Sequence, residues 1–399
     1  MILPLGDAPN PRGIPFVNYG LILANVAVYL FLTLPLSNTP VDPRDPLLPQ
    51  YVTLVTRQLP PHVPVQAVLQ QLSAYDLFIF RYGFRPAAPQ LATLFYALFL
   101  HAGFMHLFGN MLILWIYGDN VEFRLGRLGY LLAYLASGVV ATGFFTLFAL
   151  GSSMPLVGAS GAISGVLGFY FRWFPHNKVR LLVFFFPFLF DVIVVSARIV
   201  LGFYLVIDNL LPFLLNGGTA AGVAYGAHIG GFLLGITTAW MLDHRALRIN
   251  PTEYRGVGAP LDAGAAPGGT IRQLLADGRF REAVEAYFAL DPAATSRAVA
   301  PADLLALADW LRHSGNARSA LLLYQRLLRD FPTGPGAAAA HVGAGLVQLE
   351  SLDQPTPAYQ HFLDALDLDP APDTAAQARA ALEAIAARQK RQLRRPRLR

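Results

Sequence analysis

Apolar residues come in unbroken runs between Val17 and Leu242 and in amphipathic helical stripes after Thr270, so the pattern alone divides the chain in two. The runs near 17–36, 104–121, 128–150, 159–174, 197–215 and 222–242 are read as six transmembrane helices, since a span needs about 20 apolar residues. Residues 37–91 are Pro-rich and mixed, which fits a long, partly membrane-embedded loop. The stretch from Val179 to Pro187 is very apolar but is interrupted by Pro187, Asp191 and Arg198, and it fits an interfacial or strand-like segment better than a helix. Asp191 and Arg198 either pair or snorkel to the interface.

The later part repeats a pattern of Ala, an aromatic four residues on, then Pro: Ala283, Tyr287, Pro292; Ala320, Tyr324, Pro332; Ala358, Phe362, Pro370. The steps of 37 and 38 residues are close to the tetratricopeptide period of about 34. Either such a helical-repeat array or a plain bundle of helical hairpins accounts for it. The fold class expected is therefore all-α, a six-span membrane bundle followed by a soluble helical-repeat domain. Its boundaries are 1–250 for the membrane domain, 251–269 for a Gly- and Pro-containing flexible linker, 270–387 for the repeats and 388–399 for a basic tail.

Composition sharpens this picture. With 54% hydrophobic and only 14% charged residues, and a mean hydropathy of +0.44, the chain is too apolar for an ordinary soluble protein. Cysteine is absent, which removes thiol nucleophiles, disulfides and cysteine metal sites. Arg124, Arg127, Arg172, Lys178, Arg180, Arg245 and Arg248 flank one side of the spans, whereas the connections 151–156 and 216–219 carry no basic residue, so both termini are expected in the cytoplasm. The first span has no small-x-small cleavage site after it and reads as retained. Seven basic residues from Arg388 to Arg399 form either a solvated end or a contact for anionic headgroups; no specific nucleic acid is expected.

Two polar residues stand out at bilayer depth. Ser160 in Gly158-Ala159-Ser160-Gly161 and His228 in Ala227-His228-Ile229-Gly230-Gly231 sit in apolar runs, where an unpartnered hydroxyl costs about 1–3 kcal/mol. Gly161, Gly165 and Gly168 follow the serine at helical spacing, and Gly231 and Gly235 continue the histidine's face, so two helices can approach closely and bring the pair together. His106 and Asn110 are i, i+4 and share a helix face. His101 lies about 140° away from His106 if both are helical, which argues for a structural or water-binding role and against a shared metal. Glu122 and Arg124 suit an ion pair pinning a cytoplasmic turn. His176, His244, His313, His341 and His361 are read as surface or packing residues, and no metal or cofactor is expected.

In this order His101-x4-His106-x3-Asn110, Gly118-x3-Glu122-x-Arg124-x-Gly126, Gly158-Ala159-Ser160-Gly161 and Ala227-His228-x2-Gly231-x3-Gly235 resemble the rhomboid intramembrane serine proteases. The resemblance runs from about Tyr82 to Leu242. It implies a Ser-His dyad of Ser160 and His228, with an oxyanion hole of His106, Asn110 and the Ser160 backbone NH, and His101, Glu122, Arg124, Gly158, Gly161, Gly231 and Gly235 as structural motif residues. One departure is Ser164, where some family members carry an aromatic ring that stacks on the histidine. The implied function is an intramembrane serine endopeptidase of the bacterial inner membrane, its partners being transmembrane protein substrates, the lipid bilayer and a cytoplasmic protein bound by the repeats. The alternative is a non-catalytic rhomboid-like protein that binds or quality-controls membrane segments.

Overall fold

The computed structural model describes residues 2–11, 13–57, 59–60, 63–185, 189–215, 223–245, 267–290 and 299–394. It divides into two compact units, Met1–Asp7 with Gly13–Ala239, and Ala8–Arg12 with Trp240–Arg399.

The first unit begins with strand β1 (Ile2–Ala8) and helix α1 (Phe16–Ser37), then carries three short helices, α2 (Leu48–Thr56), α3 (Val65–Gln71) and α4 (Ala74–Tyr82). The region expected as a loop is thus partly helical, with its own core of Leu48, Tyr51, Leu77 and Phe80. Ser73 and Asp76 build a reciprocal cap that starts α4. Helix α5 (Leu91–Phe99) meets α6 (Phe104–Leu125) at an 88° bend, and α7 (Arg127–Phe148) and α8 (Ser160–Trp173) follow. Strands β2 (Lys178–Phe185) and β3 (Leu189–Ser196) pair antiparallel from Lys178↔Ser196 to Phe185↔Leu189. Helices α9 (Ala197–Leu215) and α10 (Tyr225–Arg245) complete the unit's helical frame.

One expectation is corrected here. The unit is not all-α, because β1, β2 and β3 form one sheet in that order; the stretch after Val179 is the strand its Val-, Ile- and Phe-rich sequence favours. Among the described residues, three helices, α1, α7 and α9, are long and apolar enough to cross a membrane, or four if the bent α5–α6 pair is one span. Helix α8, 14 residues or about 21 Å long, is shorter than a hydrocarbon core. Such a helix is stable at depth because the bundle covers it, and its positions from Gly161 to Tyr170 are all buried.

Buried polar contacts fix α1 against α6. The Glu122 carboxylate accepts the backbone N–H groups of Val17 (3.1 Å) and Asn18 (2.7 Å), which satisfies donors at the start of α1 that have no partner within the helix. Asn18 donates to the Leu114 carbonyl (3.0 Å) and accepts from the Tyr130 hydroxyl (2.8 Å), and a Cβ on Gly118 would overlap the Asn18 side chain. Glu122 therefore acts across helices, and the Arg124 guanidinium lies 4.5 Å over the Trp173 ring. The pair expected to pin one turn pins two different neighbours. Asp7 on β1 is buried and accepts from Tyr170, Asn120 and Asn177.

The second unit is helical: α11 (Pro267–Ala276), α12 (Phe280–Ala289), α13 (Pro301–His313), α14 (Ala317–Asp330), α15 (Ala337–Leu346), α16 (Pro355–Asp367) and α17 (Pro372–Arg394). Ala283, Tyr287, Ala320, Tyr324, Ala358 and Phe362, the positions of the repeated pattern, are all buried. Of the linker at 251–269, residues 251–266 lie outside the described residues and Pro267 already begins α11. The tail at 388–399 is helical up to Arg394, continuing the Ala-, Gln- and Arg-rich run of good helix formers; its last residues, 395–399, lie outside the described residues.

Candidate active site

Close helix packing creates the site. A Cβ on Gly231 would overlap the Gly161 carbonyl oxygen, one on Gly235 the Gly165 carbonyl oxygen, and one on Gly168 the Phe232 carbonyl oxygen. The backbones of α8 and α10 are therefore in direct contact along the glycine faces, which only residues without a side chain permit. Ser160, the first residue of α8, and His228, in the first turn of α10, emerge at the same end of that contact.

The Ser160 Oγ lies 2.8 Å from His228 Nε2, across 68 residues of sequence. On the other side of the ring His228 Nδ1 lies 2.7 Å from Asn209 Oδ1. The amide orientation is fixed because Asn209 Nδ2 donates to the Tyr204 carbonyl (2.8 Å), so Oδ1 accepts from Nδ1–H. That tautomer leaves the Nε2 lone pair facing the serine hydroxyl, the arrangement a general base requires.

Neither Asn209 nor Tyr204 was singled out by sequence. The signal was present, since a buried amide within an apolar span must be hydrogen-bonded to be tolerated, but the sequence did not show which helix it faced. Tyr204 also answers the departure at Ser164. Its ring lies roughly parallel to that of His228 at 29°, centroids 6.5 Å apart. Ser164 Oγ donates to the Ser160 carbonyl (2.8 Å), so the Tyr204 hydroxyl, 2.7 Å away, donates to Ser164. The ring comes from α9, and its hydroxyl reaches Ser164.

His106 lines the remaining wall, and Asn110 follows it one turn on along α6. A Cβ on Gly158, whose φ is +122°, would stand 2.7 Å from His106 Cε1 and 3.8 Å from Ser160 Oγ, so this glycine brings the imidazole to the nucleophile's side. The Gly158 N–H is anchored to the Ala97 carbonyl (2.8 Å). Asn110 Nδ2 is buried and has no hydrogen-bond partner. As the first residue of α8, Ser160 also offers a backbone N–H at the positive end of a helix. His101 sits at the α5–α6 bend outside either helix, and its ring meets that of His106 edge-on at 5.1 Å. The 140° separation expected for one continuous helix does not hold, because α6 begins only at Phe104. His101 is fully buried with both ring nitrogens unpartnered, and its backbone is bonded to the Tyr75 hydroxyl.

Fold and site together define an apolar, membrane-embedded helical protein with a hydroxyl–imidazole pair between glycine-packed helices. Residues 88–245 match the family model described as Rhomboid domain. The chain is 32% identical over 149 residues to Rhomboid protein 1, mitochondrial, of Saccharomyces cerevisiae, covering 36% of this chain and 40% of that protein. It is 30% identical over 230 residues to RHOMBOID-like protein 4 of Arabidopsis thaliana, covering 55% and 51%. With Rhomboid protease GluP of Bacillus subtilis it shares 48% identity over 69 residues, 17% of this chain and 13% of that one. The matches span about half the length of these relatives or less. The domain match and the relatives' names support a rhomboid-family membrane protein.

Proposed function

We propose that this protein is an intramembrane serine endopeptidase that cuts transmembrane or membrane-adjacent segments of other membrane proteins. The 2.8 Å contact between Ser160 Oγ and His228 Nε2 is the observation that carries this reading. In the proposed reaction His228 Nε2 takes the Ser160 proton as Oγ attacks a peptide carbonyl, forming a tetrahedral oxyanion. The Ser160 backbone N–H, Asn110 Nδ2 and His106 stabilise that charge. His228 then protonates the leaving amine, and water, activated by the same imidazole, hydrolyses the acyl-enzyme. A non-catalytic binding role has no use for an imidazole aligned on a serine hydroxyl.

A substrate helix hides its carbonyls in its own hydrogen bonds, so helix-breaking residues near the cut site favour attack. The membrane part is proposed to hold six spans in a bacterial cell membrane, with both termini cytoplasmic, as the distribution of arginines indicates. The C-terminal helix pairs are proposed as tetratricopeptide-like repeats that bind a cytoplasmic protein.

The test is cleavage of a single-span substrate by the full-length protein in liposomes. Wild type is expected to cut it, faster with a Pro or Gly near the site; no cleavage of any such substrate would refute the reading. Asn110→Ala is expected to lower kcat by about 10²–10³-fold with little change in KM, as loss of one oxyanion donor does. Asn209→Leu, which keeps the branched side-chain shape and removes the acceptor, is expected to lower kcat by about tenfold, with Asn209→Asp restoring most of it. A uniform effect on KM in either case would place those side chains outside the proposed chemistry.

A further inference from the structure

We infer that His341, His361 and Asp364 form a binding site for a single divalent transition-metal ion of the zinc class in the C-terminal helical unit. His341 lies on α15, and His361 and Asp364, three residues apart, share a face of α16. His341 Nδ1 is 2.9 Å from His361 Nδ1 and 3.9 Å from Asp364 Oδ2, and one donor atom from each of the three lies within 4.8 Å of the others.

Donor chemistry and spacing both fit a metal. Tetrahedral zinc, with ligands about 2.0–2.2 Å away, holds its donor atoms about 3.3–3.5 Å apart. The observed 2.9 and 3.9 Å bracket that value, so small side-chain rotations suffice. Two imidazole Nδ1 atoms this close cannot both present lone pairs to each other; a proton or a cation must lie between them. Two imidazoles and one carboxylate suit a borderline-soft ion better than calcium or magnesium, which prefer all-oxygen sites.

The scaffold is rigid where the ligands sit. A Cβ on Gly345 would stand 2.7 Å from the Phe362 ring, so the ring from α16 packs directly on the α15 backbone, with Val342, Ala358, Phe362 and Ala365 buried around it. Ligands on packed helices hold their geometry better than ligands on loops. The Asp364 side chain is 39% exposed against 15% for His341, so the carboxylate is the more solvent-facing of these two donors. A bound ion would clamp α15 to α16 and make the stability of the helical unit depend on metal.

The test is a zinc titration of the full-length, detergent-solubilised protein against a chromophoric chelator, with cobalt(II) as a spectroscopic probe. One equivalent is expected, with a tetrahedral cobalt absorption and a thermal midpoint raised by zinc. His361→Ala and the more exposed Asp364→Asn are each expected to weaken binding by about tenfold or more and to remove the zinc-induced shift. Binding that these variants leave unchanged, or no binding to wild type, would overturn the site. Ser160→Ala should bind zinc like wild type, so the outcome is independent of the proposed peptidase chemistry.

Discussion

Ser160→Ala protein is expected to insert and fold like wild type yet cut a transmembrane substrate at least about 10⁴-fold more slowly. The hydroxyl is the proposed nucleophile, and a serine hydrolase without it retains only what binding and oxyanion stabilisation provide. His228→Ala should cost about as much, because Nε2 lies 2.8 Å from the same oxygen and, among the described residues, no other base is in hydrogen-bonding contact with it. The double variant should be little worse than either single one, since the two residues act as one unit. Kinetics of the purified variants in liposomes, alongside thermal melts showing unchanged folding, check this. Additive losses would mean that serine and histidine act separately.

Gly231→Val is expected to have the next largest effect. A Cβ there would overlap the Gly161 carbonyl oxygen, and no rotamer change relieves a clash with backbone. Helices α8 and α10 must separate, which forfeits their packing at a cost of about 1–3 kcal/mol or more. The separation also moves His228 away from Ser160, and about 1 Å of misplacement costs on the order of 10²-fold in rate. Gly143→Ala on α7, where an added Cβ meets nothing within 4 Å, is the control and should be neutral or slightly stabilising. Comparable losses in the two variants, by melting midpoint and cleavage rate, would show that glycine content rather than this contact matters.

The sequence revealed most where a rule of packing left one solution. Gly168, Gly231 and Gly235 lie on helical faces that meet the facing backbone directly, while Gly161 and Gly165 supply carbonyls to that contact and turn their open sides toward Ala141 and Ser137. Juxtaposition of Ser160 with His228 follows from that contact. The apolar, interrupted stretch after Val179 read as interfacial or strand-like, and it forms β2. By contrast β1 was missed, because Ile2–Ala8 is short and its partner β2 is about 170 residues away in sequence. Glu122 was assigned to its sequence neighbour Arg124, but its carboxylate serves the backbone of α1, a contact across more than a hundred residues. Tyr204 and Asn209 escaped for the same reason. Both belong to an apolar span whose rotation about its axis is decided by tertiary packing, so the support of the His228 ring could not be read from α8 and α10 alone. His341 and His361, twenty residues apart on different helices, carried no periodic signal linking them.

The most direct measurement is mass-spectrometric mapping of the residue modified by a fluorophosphonate probe in the membrane-inserted protein. Covalent label on Ser160, reduced to background in His228→Ala, is what an imidazole-activated alcohol predicts. A substrate cleaved at the normal rate by protein that carries no label at Ser160, or equal labelling with and without His228, would contradict it.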